Sequence, residues 1–303
     1  MGLEIENTVS KNGPRGFQFC SIASGSSGNC YLVRTNEAAI LVDAGISGKR
    51  IIEGILATGM DPWEIDALVL THEHIDHVKS VRVLCSKIPG LEIFCTQGTW
   101  DNAKNMPENP RLNIIEAGDS FAVGDIEVET FPLSHDAAEP CGYSFVAGGR
   151  RVTVLTDSGY VTDRAHRKLG RSDLLVLESN HDVETLKFCS YPYVTKRRIL
   201  SDEGHLSNEA AGKEILRILK ERLRGEFEEG GPLDEQGDFG DDANVEFPEP
   251  PVVLLAHLSK ETNFPQMALQ TICNIIEEEE FHDGVDVFLS VLSRDNPSEI
   301  FEI

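Results

Sequence analysis

Residues 65–77 read Ile65-Asp66-Ala67-Leu68-Val69-Leu70-Thr71-His72-Glu73-His74-Ile75-Asp76-His77. The first six are an apolar run of strand length, the pattern of a buried strand. Beyond His77, Val78-Lys79-Ser80-Val81-Arg82-Val83-Leu84 carries its apolar residues at helical spacing. The polar string between them is therefore a strand-to-helix loop, held by rigid flanks and open to solvent. Three imidazoles and the Asp76 carboxylate fall there within six residues. Packed together without a cation they repel on protonation and gain nothing from burial. Neutral imidazole nitrogen and carboxylate oxygen are the donors that zinc and similar divalent ions take. His72 and His74 can turn towards one ion, and Asp76 and His77, where the chain enters the helix, towards a second beside it. The alternative for such a string is a solvated polar surface cluster.

Outward from this loop, strands and helices alternate and polar residues recur at strand ends. Residues 16–23, 30–34 and 38–42 read as strands, with a Gly/Ser turn at 24–29 tolerant of positive φ. The third strand ends at Asp43, which is expected to accept hydrogen bonds from the backbone of the 72–77 loop or, alternatively, to cap the helix at 49–58, for which Ser47 is itself a good cap. Strands at 91–95, 111–115, 120–123 and 126–131 lead to Ser134-His135-Asp136. A hairpin, 142–147 and 151–155, leads to Thr156-Asp157-Ser158. A buried strand at 173–177 leads to Glu178-Ser179-Asn180-His181-Asp182. His205 precedes a helix at 208–223 capped by Ser207, and a strand at 252–256 leads to His257-Leu258-Ser259. A helix at 265–277 and a strand at 285–291 complete a layered α/β pattern.

The 303 residues suffice for one large domain, and 40% hydrophobic and 26% charged residues are those of a water-soluble globular chain. No apolar run is long enough to span a membrane, and the polar, acidic start is not a signal peptide. Seven cysteines without a CxxC pair read as reduced, buried thiols; Cys141, close to His135, is the one to watch. These features predict a cytoplasmic protein with no membrane association and no obligate protein partner. The formal charge of −24 argues against non-specific attraction to nucleic acid. Ten of the acids fall between Glu226 and Glu249 with no base among them. Residues 225–250 are thus expected to be a flexible acidic insertion, and residues 1–14 a disordered extension, on a single domain spanning 15–303. Two basic clusters, Arg150 to Arg171 and Lys196-Arg197-Arg198, are candidate phosphate contacts or ordinary solvated faces.

The His72-x-His74-x-Asp76-His77 string resembles the signature of the metallo-β-lactamase fold superfamily. Several longer strings resemble its YycJ/WalJ group, described as metal-dependent 5′ DNA exonucleases: residues 24–30, 134–140, 178–182, 199–210 and 257–261. The resemblance runs from about Phe17 to the C-terminus, and implies an αββα sandwich of two mixed β-sheets flanked by helices. It implies that His72, His74 and His135 hold one divalent ion, that Asp76, His77 and His257 hold a second, and that Asp157 bridges them. Histidine-rich ligation suits zinc, with manganese or iron also accepted. Two such ions can share a hydroxide made nucleophilic at neutral pH. His205 resembles the histidine that protonates the leaving oxygen in nucleases of this superfamily, and Asp76 is expected to orient the attacking hydroxide or share a proton with it. His181 and Ser259 are candidate substrate contacts, His181 with a supporting role as its alternative. The reading is a dinuclear phosphodiesterase, a 5′ to 3′ exonuclease on DNA rather than RNA. Its alternatives are a small-molecule hydrolase of the same fold, acting on a cyclic phosphodiester or ester, and a non-catalytic metal-dependent scaffold.

Overall fold

The computed structural model describes residues 16–227 and 250–303. The extension at 1–14 and nearly all of the acidic segment at 225–250 lie outside the described residues. At the near edge of that segment Phe227 is buried in the core beside Leu169 and Leu219.

In chain order the elements are β1 (Gln18–Ala23), β2 (Cys30–Arg34), β3 (Ala39–Val42), α1 (Gly48–Ala57), a 3-10 turn (Pro62–Glu64), β4 (Ala67–Val69), α2 (Ile75–Val78), α3 (Val81–Lys87), β5 (Glu92–Thr96), α4 (Gln97–Asn102), β6 (Arg111–Ile115), β7 (Ser120–Val123), β8 (Ile126–Pro132), β9 (Cys141–Ala147) and β10 (Arg150–Leu155). They continue with α5 (Asp163–Gly170), β11 (Leu174–Glu178), α6 (Val183–Phe188), α7 (Tyr193–Ile199), α8 (Asn208–Leu223), β12 (Val252–Ala256), α9 (Pro265–Glu277), β13 (Phe288–Val291) and β14 (Phe301–Glu302). One seven-stranded sheet has the order β14-β1-β2-β3-β4-β5-β6 and the other β13-β12-β11-β10-β9-β8-β7. Both are mixed: β3 to β6 and β10 to β13 run parallel, and the remaining pairs antiparallel.

The strands are apolar on both faces because both faces are covered. Alternation along a strand divides its residues between two cores. Tyr31, Val33, Ile40, Val42 and Val69 meet Val128, Tyr143, Val154 and Val176 between the sheets. Leu32, Leu41 and Leu68 face the other way and pack with Ile51, Ile55 and Leu84 of α1 and α3. Leu175, Leu177 and Leu255 do the same beneath Ile215 of α8 and Ile272 of α9. The result is the expected four-layer αββα sandwich.

The structure departs from the sequence reading in local detail. The expected helix after His77 is two, α2 and α3, broken at Ser80, whose amide donates to Ala44 O at 2.9 Å and whose hydroxyl donates to Ile46 O at 2.6 Å. Residues 193–199, which show no clear period, form α7, and β14 returns to pair with β1. The parallel strands of the two sheets direct their carboxyl ends to one edge of the sandwich, where an open α/β sheet characteristically holds its ligand.

Candidate metal centre

The 71–77 loop is anchored to the end of β3. Asp43, fully buried, accepts from the Thr71 amide at 2.9 Å and from His77 Nδ1 at 2.7 Å. Ser47, not Asp43, caps α1. Asn29 N donates to Asp76 O at 2.9 Å and Ala44 N to His77 O at 2.7 Å. Gly45 permits this approach: a Cβ there would lie 1.5 Å from Asp76 O. Asp43, Asp157 and His257 have φ of 62°, 60° and 54°. Each non-glycine residue at the end of its strand thus sits in the left-handed region, a conformation that persists only where surrounding contacts impose it.

His72, His74 and His135 come together as expected. His74 Nδ1 lies 3.0 Å from His72 Nε2 and 3.3 Å from His135 Nε2. One proton on His74 can satisfy only one of these neighbours. A cation bonded to each nitrogen at about 2.0–2.1 Å in tetrahedral geometry would space them by roughly 3.3 Å and remove the conflict. His135 Nδ1 donates to Gly204 O at 3.1 Å, which directs Nε2 into the cluster. Burial holds the His72 and His135 imidazoles below their ordinary range, in the neutral form a ligand requires.

Asp76, His77 and His257 form a second group. Asp76 Oδ2 is 3.7 Å from His77 Nε2 and 3.6 Å from His257 Nε2. Asp157 stands between the two groups, with Oδ2 at 3.2 Å from His77 Nε2 and Oδ1 at 3.9 Å from His135 Nε2. Asp157 Oδ2 and His257 Nε2 are buried and make no hydrogen bond; such orphaned atoms are costly unless something else binds them. The carboxylates draw positive charge. Burial pushes His257 down, but Asp157, Asp76 and Glu178 raise it to about 10. His77 is likewise held above its ordinary value by Asp157, Asp43 and Asp76 despite burial. A divalent cation answers the same demand, and the donor set fits one: the cluster is a divalent metal-binding site.

His205 joins this edge through a residue to which sequence reasoning assigned no role. Glu178, at the end of β11, accepts through Oε1 from His205 Nδ1 at 2.8 Å and from His257 Nδ1 at 2.8 Å. Its Oε2 accepts from the Ser158 amide at 3.0 Å and the Leu206 amide at 3.1 Å. Burial opposes ionisation, but the charges and hydrogen bonds of His205 and His257 bring the Glu178 carboxyl down to about 2. Burial alone would push the His205 imidazole down; Glu178 and then Asp157 outweigh it and raise it. A lone acid ending the apolar run Leu174-Leu175-Val176-Leu177 was the available signal.

His181 and Ser259 are both buried. His181 is 1% exposed and neither ring nitrogen makes a hydrogen bond; Ser259 is buried and its amide donates to Asn180 O at 2.8 Å. As they stand, these positions are not surfaces that a substrate reaches. Cys141 is a core residue, its thiol raised by burial to about 12. The first basic cluster is largely neutralised: Arg150 pairs with Asp173 at 2.9 Å, and Arg151 and Lys168 share Glu129. Among the described residues no helix is long and apolar enough to cross a membrane.

A family model described as a beta-lactamase superfamily domain matches residues 38–224. Exodeoxyribonuclease WalJ of Streptococcus pneumoniae is 34% identical over 293 residues, covering 95% of this chain and 98% of that protein. Exodeoxyribonuclease YycJ of Bacillus anthracis is 35% identical over 273 residues, covering 89% and 92%. The solved metallo-β-lactamase fold protein YhfI from Bacillus subtilis superposes with a TM-score of 0.62 at 14% identity, covering 95% of this chain and 100% of that one. That last likeness concerns the fold alone.

Proposed function

The chain belongs to the β-lactamase superfamily and is a metal-dependent hydrolase; from that premise we propose that it is a dinuclear phosphodiesterase that degrades DNA from the 5′ end. The observation that carries this reading is the Glu178–His205 pair beside the two donor groups, at the edge where the strands end. Its relatives WalJ and YycJ, named as exodeoxyribonucleases, support a nucleic acid substrate.

In this proposal His72, His74 and His135 hold one ion, Asp76, His77 and His257 a second, and Asp157 serves both, with zinc as the first choice and manganese or iron as alternatives. When bound, such ions supply Lewis-acid stabilisation of phosphoryl charge and acidify water. The chain's own residues supply the rest. Water attacks phosphorus in line and the bond to the leaving oxygen breaks. Asp76, whose side chain is 24% exposed and so open to solvent, takes a proton from the attacking water. His205 gives a proton to the leaving oxygen from the nitrogen that Glu178 does not hold. Glu178 stays ionised and keeps the ring both oriented and protonated. A poor leaving group such as a deoxyribose oxygen needs that proton.

The test is cleavage of a 5′-phosphorylated linear duplex labelled at each end in turn, with zinc or manganese, beside Asp76→Ala and His205→Ala. Stepwise loss from the 5′ end, abolished by the first change and slowed about 100- to 10,000-fold by the second, is the expected result. The formal charge of −24 favours a second reading, a small-molecule hydrolase with the same centre. Intact DNA together with turnover of an activated phosphodiester would decide for it.

A further inference from the structure

Helices α6 and α7 form a lip that runs into the candidate site. None of the residues of α7 is buried. Tyr193 and Val194 are 74% and 77% exposed, and Phe188 at the end of α6 is 85% exposed. Exposed apolar residues scattered singly are ordinary, but these fall close together in sequence on two helices that are tied to each other. The Lys196 ammonium donates to Lys187 O and Cys189 O at 2.7 Å each, which ties the end of α6 to α7. Tyr193 and Arg197 are four residues apart, so an aromatic ring and a guanidinium share one helix face. Arg197 is exposed and makes no ion pair among the described residues. In a chain of net charge −24, a helix with Lys196, Arg197 and Arg198 and no acid reverses the sign locally.

The lip is joined to the site. Arg198, one residue beyond Arg197, pairs with Asp136 through both carboxylate oxygens, at 2.8 Å on Oδ1. Asp136 Oδ1 is 3.4 Å from His135 Nε2. From the end of α7, Ile199 O accepts from the His205 amide at 3.1 Å. The C-terminal end of α7, the helix that carries Tyr193 and Arg197, therefore abuts the residues that hold His135 and His205.

We propose that Phe188, Tyr193 and Arg197 form a stacking and phosphate-contacting platform for a single-stranded segment of the nucleic acid substrate as it enters the site. Exposed rings stack any unpaired base, and a neighbouring guanidinium contacts the backbone without reading sequence. Stacking needs bases free of their pairs, so the platform takes an opened or single-stranded end. The proposal rests on the nuclease reading above and adds the form of the substrate.

The test compares full-length, metal-loaded wild type with Phe188→Ala, Tyr193→Ala and Arg197→Ala on two substrates, a single-stranded 5′-phosphorylated oligonucleotide and bis(4-nitrophenyl) phosphate. Each aromatic truncation is expected to raise KM for the oligonucleotide about tenfold. Arg197→Ala is expected to reduce the slope of log affinity against log salt by about 0.7. Rates on the small diester and melting temperatures stay at wild-type values, because all three side chains are exposed. Variants that degrade the oligonucleotide like wild type overturn the platform while leaving the nuclease reading standing. Wild type that degrades the linear duplex but not the oligonucleotide also overturns the platform alone, whereas wild type that turns over the small diester but neither DNA overturns both. Variants that convert a dimer to a monomer in sedimentation, with KM unchanged, assign the surface to a second copy of the chain instead.

Discussion

Asp43→Asn isolates the electrostatic support of the metal centre from its backbone geometry. Asparagine tolerates the positive φ of 62° at this position and nearly matches aspartate in shape. Its amide oxygen can still accept from the Thr71 amide, now at 2.9 Å from Asp43 Oδ1. Its amide nitrogen then faces His77 Nδ1, which lies 2.7 Å from Asp43 Oδ2. Two donors cannot share that contact, so the imidazole must carry its proton on Nε2, the atom that faces Asp157. The lone pair that a cation needs is then blocked. Loss of such a supporting carboxylate typically costs 10- to 100-fold in metal affinity, or about 1.4–2.8 kcal/mol. Saturating metal stabilises the fold by mass action, so the melting-temperature gain on adding zinc should shrink by roughly 3–10 °C. The assay is competition against a chromophoric chelator at neutral pH, read as stepwise release. One step, from the group with Asp76, His77 and His257, should weaken while the other holds. Unchanged affinity, or an equal loss at both steps, would refute the idea that Asp43 sets the His77 tautomer.

Three further outcomes follow from the geometry. Gly45→Ala brings a Cβ to 1.5 Å from Asp76 O and 2.8 Å from Asn29 N; the loop must part from β3, costing about 1–3 kcal/mol in urea unfolding and reducing metal content, and a wild-type metal count would contradict this. Glu178→Gln removes the charge that raises His205, so the ring deprotonates at lower pH and the alkaline limb of the DNA pH–rate profile moves down, with the rate falling about 100-fold. An unmoved limb would exclude the Glu178–His205 coupling. His166 lies between Glu214 and Glu221, 2.5 Å from each on opposite ring nitrogens. Burial lowers it, but these carboxylates raise it overall, so its contribution is fully present below its unfolded pKa of about 6.5 and is lost as pH rises through the folded value. The stability gap between wild type and His166→Gln should be about 2 kcal/mol at pH 6 and close as pH rises; a gap that widens towards alkaline pH would reverse the assignment of charge.

Much of the architecture was legible because it is written locally. Strands buried on both faces are continuous apolar runs, and turns carry glycine, so β2, β3, β11 and β12 and the capped helix α8 emerged close to their observed bounds. The segment 193–199 was illegible as a helix for the converse reason. It buries nothing, so no apolar period marks it, and only its docking through Lys196 and Arg198 reveals its form. The short β14 is equally silent, since two residues carry no period and its pairing partner lies at the far end of the chain.

The candidate donors divide in the same way. Which residue types are present, and that they stand at strand ends, follows from adjacent residues, because an apolar run that stops at a histidine or aspartate puts that residue at the sheet's edge. Which of those ends meet is a matter of distant pairing. Glu178 reaches both His205 and His257, across 27 and 79 residues of sequence, and no local period encodes that contact. The basic residues of β10 and α5 look like an open patch in one dimension, yet Glu129 and Asp173, distant in sequence from their partners, neutralise three of them. Periodicity reports the environment of a residue, whereas charge balance, protonation and ligand geometry depend on what the folded chain brings to within a few ångströms.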